Sequence, residues 1–354
     1  MQIVRGHLQS YDWGPVDGLQ PWSPATGGPQ AELWFGTHPN GPSPLLAGGV
    51  AEGSLPILMK LLAAARPLSI QIHPPAAMAA ARYAAQQTHP GLPQLVSDPF
   101  GKAEMLIALA PFAILEGFRD PQVSAVALGQ LGPQIQPMAK ALAQDDIPAA
   151  IRLAFDLPAE VVRQEAPALP AAFEDAETAD ILTQVLTTYP ADPGVFVAAL
   201  LNARTLQPGE AVYVDPGTVH AYVRGLGLEV MTSSDNVLRL GLTSKTVAVD
   251  EALGALDVAA QPHACPAEHS AGVDRYAPAG APFTVDLLER TLTSAAGGRA
   301  RIVLCLSGST TVSGLTLQPG EAALLAADDA EVTISVQGTA VMARHGNAAA
   351  GAQG

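Results

Sequence analysis

The alternation of hydrophobic and polar positions divides the chain into three textures. Over the first 118 residues, short apolar runs such as 68–72 and 105–109 are separated by turn punctuation: Trp13-Gly14-Pro15, Gly27-Gly28-Pro29, His38-Pro39-Asn40-Gly41-Pro42 and Gly48-Gly49. Short runs between Gly/Pro clusters predict the strands of a sandwich or barrel. Residues 58–65 read equally as a strand or a helical turn. From about 121 to 204 glycine thins out and apolar residues recur at i, i+3, i+4 spacing. Val123, Val126, Leu128 and Leu131 are followed by Ala149, Ile151, Leu153 and Ala154, then by Ile181, Leu182, Val185 and Leu186. Phe196, Ala199 and Leu200 continue the pattern, which predicts a helical insert. Strand-like patterning returns over 205–255 and again over about 260–345. The Ala/Gly tail from Asn347 is expected to fray.

An internal repeat sets the architecture. Leu206-Gln207-Pro208-Gly209-Glu210-Ala211 recurs unchanged as Leu317-Gln318-Pro319-Gly320-Glu321-Ala322, and a short apolar strand follows each copy. One Pro-Gly turn would mean little; two identical ones in matching contexts predict two related β-barrels. The same offset carries His220 onto Glu331, so the second barrel lacks that histidine and is read as structural.

Composition narrows the function. Hydrophobic residues make up 48% and charged residues 14%, enough apolar content to build cores. Lys+Arg 18 against Asp+Glu 33 gives a net charge of −15, a surface that repels phosphate backbones and anionic lipid. No nucleic-acid or membrane partner is therefore expected. No apolar run reaches the ~18–20 residues of a membrane helix, and no signal peptide is apparent. Cys265 and Cys305 read as buried thiols of a reducing compartment. A soluble, cytoplasmic, monomeric protein is expected.

Chemistry concentrates in three blocks. In Ser69-Ile70-Gln71-Ile72-His73-Pro74 the period of a strand puts Ser69, Gln71 and His73 on one face and Ile70 and Ile72 on the other. Lys102 and Glu104, two apart, also share a face. The third block, Gly209 followed by Asp215-Pro216-Gly217-Thr218-Val219-His220-Ala221-Tyr222, resembles the second signature of cupins, with Asp215 where that signature usually has proline. There the turn aims His220 into the barrel, with Tyr222 on the same face. Gln71, His73, Glu104 and His220 together offer two imidazoles, a carboxylate and an amide oxygen. That set suits Zn²⁺, although Mn²⁺, Fe²⁺ or Co²⁺ would also be accepted.

Longer blocks carry a more specific resemblance. Trp13-Gly14, Ala31-Glu32-Leu33-Trp34-Phe35-Gly36-Thr37-His38, Leu55-Pro56-Ile57-Leu58-Met59-Lys60, the Gln71-x-His73 segment and Lys102-Ala103-Glu104-Met105 occur in order. His220-Ala221-Tyr222 follows, then Glu229-Val230-Met231-Thr232-Ser233-Ser234-Asp235-Asn236-Val237-Leu238-Arg239-Leu240-Gly241-Leu242-Thr243-Ser244-Lys245. This order resembles type I mannose-6-phosphate isomerases, most closely over 1–118 and 200–255. The resemblance implies one zinc per chain on Gln71, His73, Glu104 and His220, a catalytic Arg239, and interconversion of mannose 6-phosphate and fructose 6-phosphate. Two positions depart from the family. Gly101-Lys102-Ala103-Glu104 stands where the family usually has His-Lys-Pro-Glu, so the histidine proposed to help open the sugar ring is absent. The run after Arg239 has Leu240 and Ser244 where the family more often has glycine and proline, which reads as a packing change.

The expected organisation is mainly β: a metal-binding cupin domain over 1–118 and 200–255, a helical insert over 119–199, a metal-free cupin-like domain over 256–346, and a flexible tail over 347–354. Arg239, as a permanently charged donor, suits an enediolate. Lys102, Glu229 and Asp235 join it as catalytic candidates, the two acids as base or as partners of the arginine. Only four lysines occur, and Lys60, Lys102 and Lys245 lie in the family-matching blocks. A sugar-phosphate pocket built on Lys60 and Ser69, with Tyr222 and Lys245, follows. A cupin iron dioxygenase and a non-catalytic sugar-binding cupin are the alternatives; neither needs the Arg239 block.

Overall fold

The computed structural model describes residues 1–89 and 91–346, so the tail expected over 347–354 lies outside the described residues. Two large sheets and a helical layer make up the chain. One sheet orders His263–Ala264, Ala211–Val214, Glu104–Ala108, His220–Thr232, Ile57–Ala64, Glu32–Phe35 and His7–Gln9. The other runs through Gln2–Arg5, Glu321–Leu325, Arg301–Val312, Val332–His345, Phe283–Glu289, Val273–Tyr276 and Glu268–Ser270. Neither order returns to its first strand. The expected mainly β architecture with a helical insert is present, and no closed barrel is found among the described residues.

The repeat is structural. Gly209 and Gly320 both turn at positive φ, 86° and 82°, a conformation that favours glycine. In each copy the glutamate carboxylate accepts from the backbone N–H of the glutamine, Glu210 from Gln207 at 2.7 Å and Glu321 from Gln318 at 2.9 Å. Identical hexapeptides thus close identical turns ahead of matching strands.

The 13-residue strand His220–Thr232 organises the first unit. Its opening residues pair with Gln71–Ile72 and Phe112–Phe118, and from Gly225 onward it pairs with Ile57–Ala64 and Glu104–Ala108. Alternation along it sends Ala221 and Val223 into the core shared with the helices, while Tyr222 faces the opposite way, against Phe112. The segment 58–65 resolves as strand: Ile57–Ala64 is buried throughout, with Ile57, Met59, Leu61 and Ala63 in the core between the sheets and Leu58, Leu62 and Ala64 on the other face. Lys60 is the one charged side chain of that second face.

Helices fill the insert from Pro121–Leu128 to Gly194–Ala198. Asp120, Asp146 and Asp175 cap three of them by accepting N–H groups of the first turn. The first helix presents a different face from the one its valines suggest. Ser124, Ala127 and Leu128 are buried, while Val123 and Val126 are 49% and 69% exposed. Ser124 turns inward because its hydroxyl donates to the Ala199 carbonyl at 3.0 Å.

Three features depart from the expected layout. A 13-residue helix, Ala76–Thr88, interrupts the segment read as all β, because a Pro-Pro stop precedes an Ala-rich stretch. A shorter helix, Val249–Ala255, lies within the returning strands. Gln2–Arg5 pairs with Glu321–Leu325, so the first strand joins the C-terminal sheet and ties the chain's start to its end. Cys265 and Cys305 are free and buried. No helix among the described residues is long and apolar enough to cross a membrane.

Candidate active site

Three ligand-type side chains converge where Glu104–Ala108 meets the start of His220–Thr232. The Nε2 atoms of His73 and His220 lie 2.9 and 3.2 Å from the same oxygen of Glu104, all three residues being buried. The ring Nδ1 of His73 is 2.8 Å from the Asn236 carbonyl, and that of His220 is 3.3 Å from the Thr218 carbonyl. A carbonyl only accepts, so each Nδ1 carries the proton and each Nε2 lone pair faces the centre.

Electrostatics prepare the same state. Burial lowers the His73 pKa to about 4, despite the nearby Glu104 carboxylate. Burial acts to raise Glu104, but the groups set against it, His73 and Lys102 foremost, outweigh it and hold the carboxyl well below its ordinary value. A neutral His73 and an ionised Glu104 are protonation states a divalent ion requires. Among the described residues His73 Nε2 is buried with no hydrogen-bond partner, an orphan that a cation in this cluster would satisfy. The residues therefore fit a zinc-type ion.

Gln71 belongs to the same wall. It stands in register with His220 on one side and Arg239 on the other, and it lines the cavity with both. Its amide nitrogen donates to the Ser69 hydroxyl at 3.3 Å. Ile70 and Ile72 point into the helical core, as the period of two requires.

Above this centre opens a cavity of about 810 Å³. Every sequence-selected residue except the fully enclosed His73 lines it. Lys102 lies 2.6 Å from the free oxygen of Glu104. Tyr222 is buried, its hydroxyl without a hydrogen-bond partner among the described residues, and burial, reinforced by Glu229 and Glu104, raises its pKa. Lys245 is exposed at the rim.

The acids do not orient Arg239, as the sequence had allowed. Glu229 binds Lys60 at 2.8 Å, its cross-strand neighbour, and Asp235 is held by Asn40 and His38. Arg239 makes no ion pair among the described residues, and burial lowers its pKa. Burial raises Glu229, against the pull of Lys60 and with a contribution from Glu104. Lys60 also differs from an open phosphate anchor. It is 6% exposed, lies 3.9 Å from Glu32, and sits 5.2 Å from the ring of Trp34. Burial opposes its charge, but Glu229 and Glu32 outweigh that and raise its pKa. Lys60→Ala would leave Glu229 buried without its cation, so it is expected to lower stability by about 3–5 kcal/mol. Chemical denaturation checks this; wild-type stability with only a raised KM would return Lys60 to the phosphate.

At Gly101 a Cβ would meet the Cβ and backbone nitrogen of Ala76 at 3.2 Å. The start of helix Ala76–Thr88 thus closes over the position where the family usually has histidine, while Lys102 and Glu104 keep their places. Leu240, beyond Arg239, is fully buried in the helical core, in keeping with a packing change. Three further cavity neighbours carried no sequence signal of a role. Glu32 accepts from the Trp34 indole at 2.7 Å, and Asn40 reaches Asp235 across 195 residues of chain.

A metal-ready centre beneath a cavity that also offers an uncompensated guanidinium defines a metal-dependent enzyme for a small anionic substrate. Residues 1–121 match the family described as phosphomannose isomerase type I, catalytic domain. The mannose-6-phosphate isomerase of Escherichia coli K12 is 30% identical over 96% of this chain and 98% of its own, and the chain belongs to that family. The Salmonella typhimurium enzyme of the same name is 31% identical over 97% and 99% of the two chains. A crystal structure of the Salmonella enzyme, bound to fructose 6-phosphate and zinc, superposes with a TM-score of 0.83 at 27% identity, covering 98% of this chain and 99% of that one.

Proposed function

We propose that this cavity interconverts mannose 6-phosphate and fructose 6-phosphate through an enediol, using one zinc held by His73, Glu104, His220 and Gln71. The observation that carries the reading is Gln71 standing in register with both His220 and Arg239. Two strand spacings set the backbones of His220 and Arg239 roughly 10 Å apart on one wall, close enough for one open-chain sugar to meet both. Zinc bound there would polarise the oxygens at C1 and C2.

The chain's own groups divide the remaining work. Arg239 places a permanent positive charge, unspent on any acid among the described residues, where the enediolate develops. Glu229 carries the proton between C1 and C2: it lines the cavity, and burial raises its proton affinity toward that of a working acid–base. Lys102 neutralises Glu104 and lines the cavity, where it can donate to the substrate's oxygens. Asp235, which lines the rim with one carboxylate oxygen unbonded among the described residues, acts on the sugar's hydroxyls. The phosphate rests on Ser69 and the exposed Lys245, since Lys60 is already engaged by Glu229. Tyr222 offers its free hydroxyl to the sugar.

A coupled assay tests the reading. Mannose 6-phosphate should be isomerised, activity should vanish on chelation, and added zinc should restore it. Turnover that survives complete metal removal would overturn it.

A further inference from the structure

A tight turn on the cavity rim sets one hydrogen-bonding amide and one nearby imidazole nitrogen against a single carboxylate oxygen. His38-Pro39-Asn40-Gly41 closes with the Gly41 N–H donating to the His38 carbonyl at 3.0 Å. The side-chain amide of Asn40 donates to Asp235 Oδ2, and His38 Nε2 lies 3.6 Å from the same oxygen. His38 Nδ1 accepts the backbone N–H of Asn40 at 3.2 Å, so the proton of the neutral ring sits on Nε2, facing Asp235. The ring is buried and packs edge-on to Trp34 at 5.3 Å, and Trp34 is itself pinned by Glu32. From the other side, the Asp235 backbone N–H donates to Asp98 at 3.1 Å. Asp235 lines the cavity, and its Oδ1 takes no hydrogen bond among the described residues.

We propose that His38 and Asn40 are positioning residues that lock the Asp235 carboxylate by Oδ2 and leave Oδ1 to the substrate. The inference rests on Asp235 acting on the sugar, as proposed above. A free aspartate at a cavity rim samples several rotamers, and an Asn40 hydrogen bond on one oxygen, with the His38 ring set close beside it, removes that freedom before substrate arrives. Fixing the ring tautomer through the Asn40 backbone makes the pair one device, because a flipped proton would set a lone pair against the carboxylate.

Asn40 is exposed, so Asn40→Ala tests the device without emptying the core. It should lower kcat about tenfold on mannose 6-phosphate, with zinc content unchanged and KM within about twofold. His38→Ala should lose at least as much, while His38→Gln, which keeps a donor near Nε2, should stay within about threefold of wild type. In an Asp235→Asn background, Asn40→Ala should cost less than twofold, since residues acting through one group are not additive. An unchanged kcat in Asn40→Ala overturns the proposal, and so does an equal tenfold loss in both backgrounds. A wild-type protein that does not isomerise mannose 6-phosphate would instead overturn the functional reading.

Discussion

His73→Ala is expected to lose both the bound metal and all measurable isomerase activity. Elemental analysis of the wild type should find about one zinc per chain, and the variant less than a tenth of that. His73 supplies one of two imidazoles, its Nδ1 anchored on Asn236 and its Nε2 buried without another partner. Without it, the ion keeps a carboxylate, one imidazole and an amide oxygen, too few donors in too open an arrangement for a small cation. Full occupancy with normal turnover would show that the centre lies elsewhere. Two tightly bound ions per wild-type chain would show a second site, although Glu331, the repeat's counterpart of His220, is exposed.

Arg239→Ala should act on the chemistry and leave the metal alone. An interaction made chiefly in the transition state appears in kcat. By analogy with removing an oxyanion donor, the loss should be about 10²–10³ in kcat, or roughly 2.7–4 kcal/mol. The structure adds a second expectation. Because no acid is paired with Arg239 among the described residues, the substitution orphans no buried charge, and stability should stay near wild type. That contrasts with Lys60→Ala, where Glu229 loses its cation. Steady-state kinetics with a zinc assay and a denaturation curve separate the cases. A raised KM at unchanged kcat would move Arg239 to the phosphate.

The face-sharing of the candidate residues was legible in the sequence for a local reason. Gln71 and His73, and likewise Lys102 and Glu104, lie two apart, so the geometry of an extended chain alone assigns each pair to one face. The helical insert was legible from spacing, although a buried serine with a carbonyl partner displaced the valines from its inner face. The helix Ala76–Thr88 was missed because Pro74-Pro75 reads as a stop, and a stop also serves as a start.

By itself, then, the sequence determined what depends on neighbours along the chain: strand faces and the two identical turns at 206–211 and 317–322. Only the tertiary structure decided what depends on cross-strand and cross-loop neighbours. It paired Glu229 with Lys60 and left Arg239 unspent, it set Asn40 and His38 on Asp235, and it laid Gln2–Arg5 in the far sheet. The physical reason is the range of the forces involved. Backbone periodicity acts over a few residues, whereas the partner that discharges a buried charge is chosen by which strands and loops pack together, at sequence separations that no local pattern encodes.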